Sequence, residues 1–285
     1  MNFRPLLLCA WLALGAVHAQ SAPAAVAARV DHFQIEHDSP QALFTLFAEV
    51  FQLPVVWPMA DYGAFASGGL YFGNVVVEFG RFGGLPAHAQ GPARLAGIAL
   101  QPALSAPASA AELERRQLRH RTPAPFMANG KALWTVVRID GIAPPGARLF
   151  ICDYHIDTET GLRAAAAELA RLQGGPLGLV GVRELLIEAA EPVDALVRWR
   201  ALLAPVGPDD AGAFRFASGP LIQVRQGAED RLRLLTLEVR SLQTAQQLLL
   251  AEGFVTDPAD PGRLSGSGQH RGLTLQLVLP PAAGR

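Results

Sequence analysis

A chain of 285 residues is long enough for one large or two ordinary domains, and with 50% hydrophobic and 17% charged residues it can fill a substantial core rather than stay disordered. A formal net charge of −1 excludes the broad basic footprint that nucleic-acid binders use to neutralise phosphates. The local basic cluster Arg115, Arg116, Arg119, His120 and Arg121 lies among helix formers and reads as a solvated helix face.

The first residues read as a targeting signal. Arg4 supplies the positive end, Leu6 to Val17 an apolar run, and Val17-His18-Ala19 resembles a small-x-small cleavage site before Gln20. The run is shorter than the roughly 20 apolar residues of a spanning helix. Cleavage after Ala19 (signal peptide 1–19) is therefore expected, with export to the periplasm and no stable membrane anchor. Cleavage removes Cys9 and leaves Cys152 as the single cysteine, so no internal disulfide is expected. Its neighbours Asp153 and Tyr154 are not the cations that activate a thiol, and Cys152 reads as buried and inert. Residues 20–29 are small and Ala-rich, a flexible leader.

From residue 30 the pattern becomes structural. Phe33 and Ile35 alternate with His32, Gln34 and Glu36, which predicts a strand with one apolar and one polar face. Ser39-Pro40 then starts a helix whose stripe is Leu43, Phe44, Phe47, Val50 and Phe51. Leu53 to Pro58 begins an extended piece. Phe65-Ala66 and Leu70 to Phe72 read as short strands, with Gly68-Gly69 and Gly73-Asn74 as turns, and Val75 to Phe79 closes the unit. This is a βαβββ pattern over about 30 to 82.

A second unit follows from 93 to 156. It has a strand at Leu95 to Leu100, a helix at Ala108 to Arg119, and strands at Ala132 to Ile139 and Leu149 to Tyr154, with one strand of the four not visible. Residues 163 to 172 read as a connecting helix, and Gly174-Gly175-Pro176 as a boundary. In the third unit, Val182 to Glu188 can be laid over Val30 to Glu36 without a gap; Val193 to Leu203 is its helix, with strands at Ala213 to Phe216 and Leu221 to Val224. The fourth has a strand at Leu234 to Val239, a helix at Leu242 to Leu250 closed by Gly253, and an alternating strand at Leu273 to Val278. The expected fold class is α+β, four βαβββ units paired into two modules, 30–156 and 179–280, joined by a helix and linker over 157–178.

Four such units, paired two by two, resemble the vicinal oxygen chelate superfamily of glyoxalase-like, bleomycin-resistance and extradiol dioxygenase proteins. The likeness is carried by Val30-Asp31-His32 before a Ser-Pro helix, by Gly73 to Phe79, and in the second unit by Trp134-Thr135-Val136-Val137 and Phe150 to His155. It implies concave sheets, with metal ligands on the first and last strands of a unit. Carried over, these are His32 and Glu78, with Asp153 as a third ligand if Cys152-Asp153-Tyr154 is laid over Val77-Glu78-Phe79. His155 is the alternative if that alignment slips. The alternation agrees for the first pair, since both oppose apolar neighbours. A ring nitrogen with carboxylate oxygens suits Zn, Ni, Fe or Mn. Unit three has Glu184 and Gln223 at the corresponding positions, so the second module reads as degenerate.

The resemblance thus implies a metal-dependent lyase or isomerase acting on a small oxygen-bearing molecule. His32, Glu78 and Asp153 would hold the ion, Glu78 or Asp153 would move a proton, and Gln34, Trp57, Tyr71 and Trp134 would line the pocket. Ring-cleaving dioxygenases usually use two histidines and a carboxylate, and one well-placed histidine argues against that chemistry. The rival expectation is a metal-free binding module of the bleomycin-resistance type. A third possibility is a degenerate repeat protein that mainly binds another protein, and a homodimer sealing the cups is compatible with it. Dinucleotide, phosphate-loop, His-Glu-x-x-His and Gly-x-Ser-x-Gly motifs are absent.

Overall fold

The computed structural model describes residues 24–82, 92–270 and 272–281. The expected signal peptide, the start of the expected leader and His88 lie outside the described residues.

The first unit contains β1 (Ala27–Glu36), α1 (Pro40–Thr45) prolonged by a π-type turn over Leu46–Val50, β2 (Val55–Asp61), β3 (Phe65–Tyr71) and β4 (Val76–Phe82). The second contains β5 (Arg94–Pro102), α2 (Ala106–Arg115), β6 (Ala124–Ala128), β7 (Lys131–Arg138) and β8 (Arg148–Tyr154). All eight strands form one mixed sheet in the order β2-β3-β4-β1-β5-β8-β7-β6. The four central strands are β4, β1, β5 and β8, with β1 parallel to β4, β5 parallel to β8, and β1 antiparallel to β5.

This sheet curls. Phe65 on β3 and Phe126 on β6 have ring centroids 5.7 Å apart. Six strand spacings lie between those strands, which in a flat sheet is roughly 29 Å at about 4.8 Å per strand. Tyr62, stacked on Phe65 at 4.8 Å, and Trp134, stacked on Phe126 at 4.2 Å, extend this aromatic clasp across the mouth. The convex side holds the core, where Phe47 meets Phe51, Phe72 and Phe79 at 5.0, 5.4 and 5.3 Å. Each fully buried phenyl ring contributes about 1.5–3 kcal/mol.

After α3 (Glu159–Arg171), a second sheet repeats the plan. It contains β9 (Leu179–Ala189), α4 (Pro192–Leu203), β10 (Ala213–Phe214), β11 (Leu221–Gln226), β12 (Arg231–Val239), α5 (Leu242–Ala251), β13 (Phe254–Asp257), β14 (Asp260–Gly266) and β15 (Thr274–Val278). Its order is β10-β11-β9-β12-β15-β14-β13. The turn at Gly73-Asn74 docks the first module on the second. The Asn74 amide accepts from Val182 N and donates to Val182 O, both at 2.9 Å, and Gly73 has φ +90 with no room for a Cβ beside Val180. Arg116 adds a second tie by donating to the carbonyls of Ala201, Leu202 and Ala204 at the end of α4.

Several elements differ from the sequence reading. β1 starts at Ala27 because that residue already pairs with Pro102, so the leader is extended backbone there. The strand that was not visible in the second unit is β6, a short edge strand carrying Pro125. The unit short of a strand is the third, where Pro205 and Pro208 lack ladder donors and only a single bridge, Pro208 to Phe214, forms. Gly68 and Gly69 lie inside the continuous strand β3. A Cβ on Gly68 would meet Phe44 at 2.7 Å and one on Gly69 would meet Trp57 at 2.5 Å, so these glycines mark close approach rather than a turn.

Candidate functional site

The concave face of the first sheet is built around an irregularity in β1. Val30 pairs with Leu100 and His32 with Ala99, which leaves Asp31 as the extra residue of a β-bulge. Strict alternation would send Asp31 to the core with Phe33. The bulge reverses the parity there: Val30 is core, and Asp31 and His32 face the cup together. Their side chains meet, with His32 Nδ1 2.6 Å from Asp31 Oδ2. The Tyr154 hydroxyl, from β8, donates to the same Asp31 oxygen at 3.0 Å.

Glu78 arrives from β4, in the same rung as Gln34. Gln34 Nε2 donates to Glu78 Oε2 at 2.7 Å, and that oxygen lies 3.2 Å from His32 Nε2. Nε2 is buried and has no aligned hydrogen-bond partner, so the approach to Glu78 is an ion-pair distance without hydrogen-bond geometry. Trp57 and Phe150 wall the imidazole edge-on at 6.2 and 5.6 Å, and Trp57 Nε1 is held by Ser67 Oγ at 3.0 Å.

Two carboxylates therefore flank one buried ring. Burial works against the imidazolium, but Asp31 and Glu78 outweigh it and raise His32 to about 10. Burial would raise Glu78, but the close positive charge of His32, with the hydrogen bonds of Ser67 and Gln34, holds it below the ordinary carboxylate value. Burial and then Asp31 push the Tyr154 phenol well up, and burial does the same to the Cys152 thiol.

This donor set fits a metal ion in part. With Nδ1 tied to Asp31, the ring presents Nε2 to Glu78, and a carboxylate on the far ring nitrogen is the usual support of a metal-bound histidine. Without its proton, Nε2 would turn a lone pair to a carboxylate oxygen 3.2 Å away, a place that either a proton or a metal ion can fill. Two atoms at that separation can both lie about 2.0–2.2 Å from one ion. His32 and Glu78 thus fit as two ligands, with the remaining positions left to water or substrate.

Asp153 does not join them. On β8 the alternation places Phe150, Cys152 and Tyr154 on the concave face and Asp153 on the other, where its carboxylate accepts from Ala106 N at 2.8 Å at the start of α2. Laying Cys152-Asp153-Tyr154 over Val77-Glu78-Phe79 was one residue out, and one residue exchanges the faces of a strand. His155 does not replace it, since its Nε2 pairs with Thr135 Oγ1 at 2.8 Å in an exposed position. Among the described residues no cluster of three His, Cys, Asp or Glu could hold a metal ion.

Of the expected pocket residues, Gln34 and Trp57 touch the central pair or its supports. Trp134 packs with Ala99, Phe150 and Cys152 on the same concave face. Tyr71 pairs with Val76 and shares its strand face with Gly69 and Ser67; burial raises its phenol, opposed by Arg29. Sequence reasoning missed Asp31, Ser67, Arg148 and Tyr154. The usable signal for Asp31 was two adjacent polar residues, Asp31-His32, inside an otherwise alternating strand.

No protein-family model matches the chain, and no curated protein matches it in sequence. Solved structures do. A variant of homoprotocatechuate 2,3-dioxygenase from Brevibacterium fuscum superposes with TM-score 0.56 at 13% identity, covering 90% of this chain and 72% of that one. The 2,3-dioxygenase LapB from Pseudomonas sp. KL28 gives 0.57 at 12%, covering 90% and 93%. Homoprotocatechuate 2,3-dioxygenase from Arthrobacter globiformis gives 0.53 at 13%, covering 90% and 82%. The chain has the vicinal oxygen chelate fold, and at these identities the likeness speaks to fold alone.

Proposed function

We propose that the concave face of the first module is the active site of a metal-dependent enzyme acting on a small oxygen-bearing molecule, with His32 and Glu78 holding one divalent ion (Zn, Ni, Fe or Mn). The observation that carries this reading is the buried His32 Nε2, without an aligned partner, 3.2 Å from Glu78 Oε2 while Nδ1 is tied to Asp31. An ion bound there supplies Lewis-acid polarisation of a substrate oxygen. The chain's own groups do the rest. Asp31 fixes the imidazole tautomer, Gln34 orients the Glu78 carboxylate, and Trp57 and Phe150 keep water from the ring. Glu78 is the group placed to take a proton from substrate and return it, which is isomerase or lyase chemistry. The structural neighbours are dioxygenases, which suggests the other outcome, ring cleavage. A single imidazole at the centre of this cup favours proton transfer.

Metal analysis of the purified chain tests this. About one ion per chain, retained on dialysis and lost in His32→Ala, is the expected result. A protein that takes up none of the four metals sinks the reading. That no third protein ligand joins His32 and Glu78 among the described residues favours one rival, a metal-free cup in which a proton occupies the place between Nε2 and Glu78 and the module only binds its ligand. We further propose export to the periplasm and a homodimer. No helix of the described residues is long and apolar enough to cross a membrane. Cell fractionation and sedimentation test the two proposals.

A further inference from the structure

The first cup holds a second polar centre that the His32–Glu78 pair does not use. Arg148 on β8 keeps only 9% of its side chain exposed. Its Nε donates to Gln34 Oε1 at 2.9 Å, but Nη1 and Nη2 have no hydrogen-bond partner. Glu36 Oε2 lies 3.8 Å from Nη2 and is already engaged by Arg94. The guanidinium carbon sits 4.4 Å from the centroid of the Phe82 ring, which walls one face. A buried guanidinium whose terminal nitrogens make no hydrogen bond, with only a distant carboxylate beside them, is costly for a fold to keep.

Its position links it to the proposed reaction centre. Glu78, Gln34, Gly97 and Arg148 form one continuous rung across β4, β1, β5 and β8. Gly97 leaves the middle of that rung empty, and a Cβ there would stand 2.2 Å from Gln34 Oε1. Gln34 can therefore accept from the cation on one side and donate to the carboxylate on the other. The two free nitrogens of Arg148 share the concave face with His32 and Glu78.

We propose that Arg148 is the carboxylate-binding residue of this cup, and that the ligand is a small monocarboxylic acid. The acid group takes the guanidinium fork while the oxygen-bearing part reaches His32 and Glu78. The proposal rests on the reading of the first cup as the substrate site and names its substrate class. A planar fork with two free donors matches a carboxylate bidentately. Two carboxylates, Glu36 and Glu78, and two further cations, Arg94 and Arg138, act on the guanidinium, so local charge is balanced and the planar fork is what selects a carboxylate over a tetrahedral phosphate. Burial, opposed by Glu36 and Glu78, lowers Arg148 to about 10, so it stays charged at neutral pH.

The test uses the mature full chain, before and after treatment with a chelator. Acetate, benzoate and phenylacetate are titrated against their amides and against inorganic phosphate, read by thermal shift and by the fluorescence of Trp57 and Trp134. At least one acid should bind tenfold or more tightly than its amide. Arg148→Gln and Arg148→Lys should both lose that preference while unfolding no lower than the parent. The proposal is overturned if none of the acids binds, if acid and amide bind alike, if phosphate displaces the acids, if the preference survives Arg148→Gln, or if Arg148→Gln unfolds several degrees lower. An acid preference that persists in His32→Ala and after chelation stands even where the metal reading fails. Stoichiometric metal without an acid preference defeats only this proposal.

Discussion

The first strand of each module carries the same irregularity. β1 bulges at Asp31, and β9 bulges at Arg183, where Val182 pairs with Leu237 and Glu184 with Thr236. The registers then place Glu184 where the first module has His32, and Leu186 where it has Gln34. Gln223 stands where it has Glu78, because Leu186 pairs with Gln223 as Gln34 pairs with Glu78. Leu234 takes the place of Gly97. The contacts change accordingly. Arg183 pairs with Glu238 at 2.8 Å, and Glu184 accepts from Thr236 at 3.2 Å. The backbone device is shared, but no imidazole is delivered by it in the second cup. The bulge therefore belongs to the fold, and the chemistry belongs to the few side chains it turns inward.

The largest test of this contrast is to remove the carboxylate from each cup. With chelator present, Glu78→Ala leaves a buried imidazole without its second partner and should cost about 3–5 kcal/mol in urea unfolding. Glu184→Ala breaks one hydrogen bond and should cost about 1 kcal/mol. Equal losses would mean that the two cups are electrostatically alike.

Next comes the empty place in the rung. Gly97→Ala puts a Cβ 2.2 Å from Gln34 Oε1 and displaces the amide that links Arg148 to Glu78. A cost of about 1–3 kcal/mol in thermal unfolding is expected. An unchanged melting temperature would show that Gln34 is not held where the rung requires.

The pH dependence belongs to the first cup. His32 is raised from its ordinary 6.5 to about 10, so the folded chain holds a proton that the unfolded chain releases earlier. That contribution is complete below about pH 6.5, declines as pH rises towards about 10, and is gone above it. Glu78 is lowered, so its contribution is present above its ordinary 4.5 and is lost as pH falls through the folded value. In chelator, urea midpoints at about pH 6 and about pH 9.5 should fall for the parent and stay flatter for His32→Gln. Parallel slopes would exclude the imidazolium. The smallest effect is at the second bulge. Arg183→Ala removes a single partly buried pair and should change stability by about 1 kcal/mol or less. A larger loss would give the second cup a polar centre of its own.

Much of this was legible in residues alone. The alternation around Phe33 and Ile35 put His32 and Gln34 on one face, and the match of Val182 to Glu188 with Val30 to Glu36 foretold the register of the second module. Helix α1 announced itself by Ser39-Pro40 and the phenylalanines behind it. The Gly68-Gly69 pair misled, because a glycine that admits a ring and a glycine that turns the chain look the same in one dimension. Asp153 misled for a related reason: strand ends without a buried partner in view leave the register free by one residue.

Local patterning thus determined the class of fold and the repeat, since face and period are properties of consecutive side chains, while the choice of His32 and Glu78 as a pair came from the family resemblance, with which the alternation agreed. Only the folded sheet decided which other groups would meet them. Asp31 depends on a bulge created by pairing with β5. Arg148 reaches Gln34 only because Gly97, 51 positions earlier in the chain, leaves a gap. Such meetings are set by register between distant strands, and register is settled by tertiary packing.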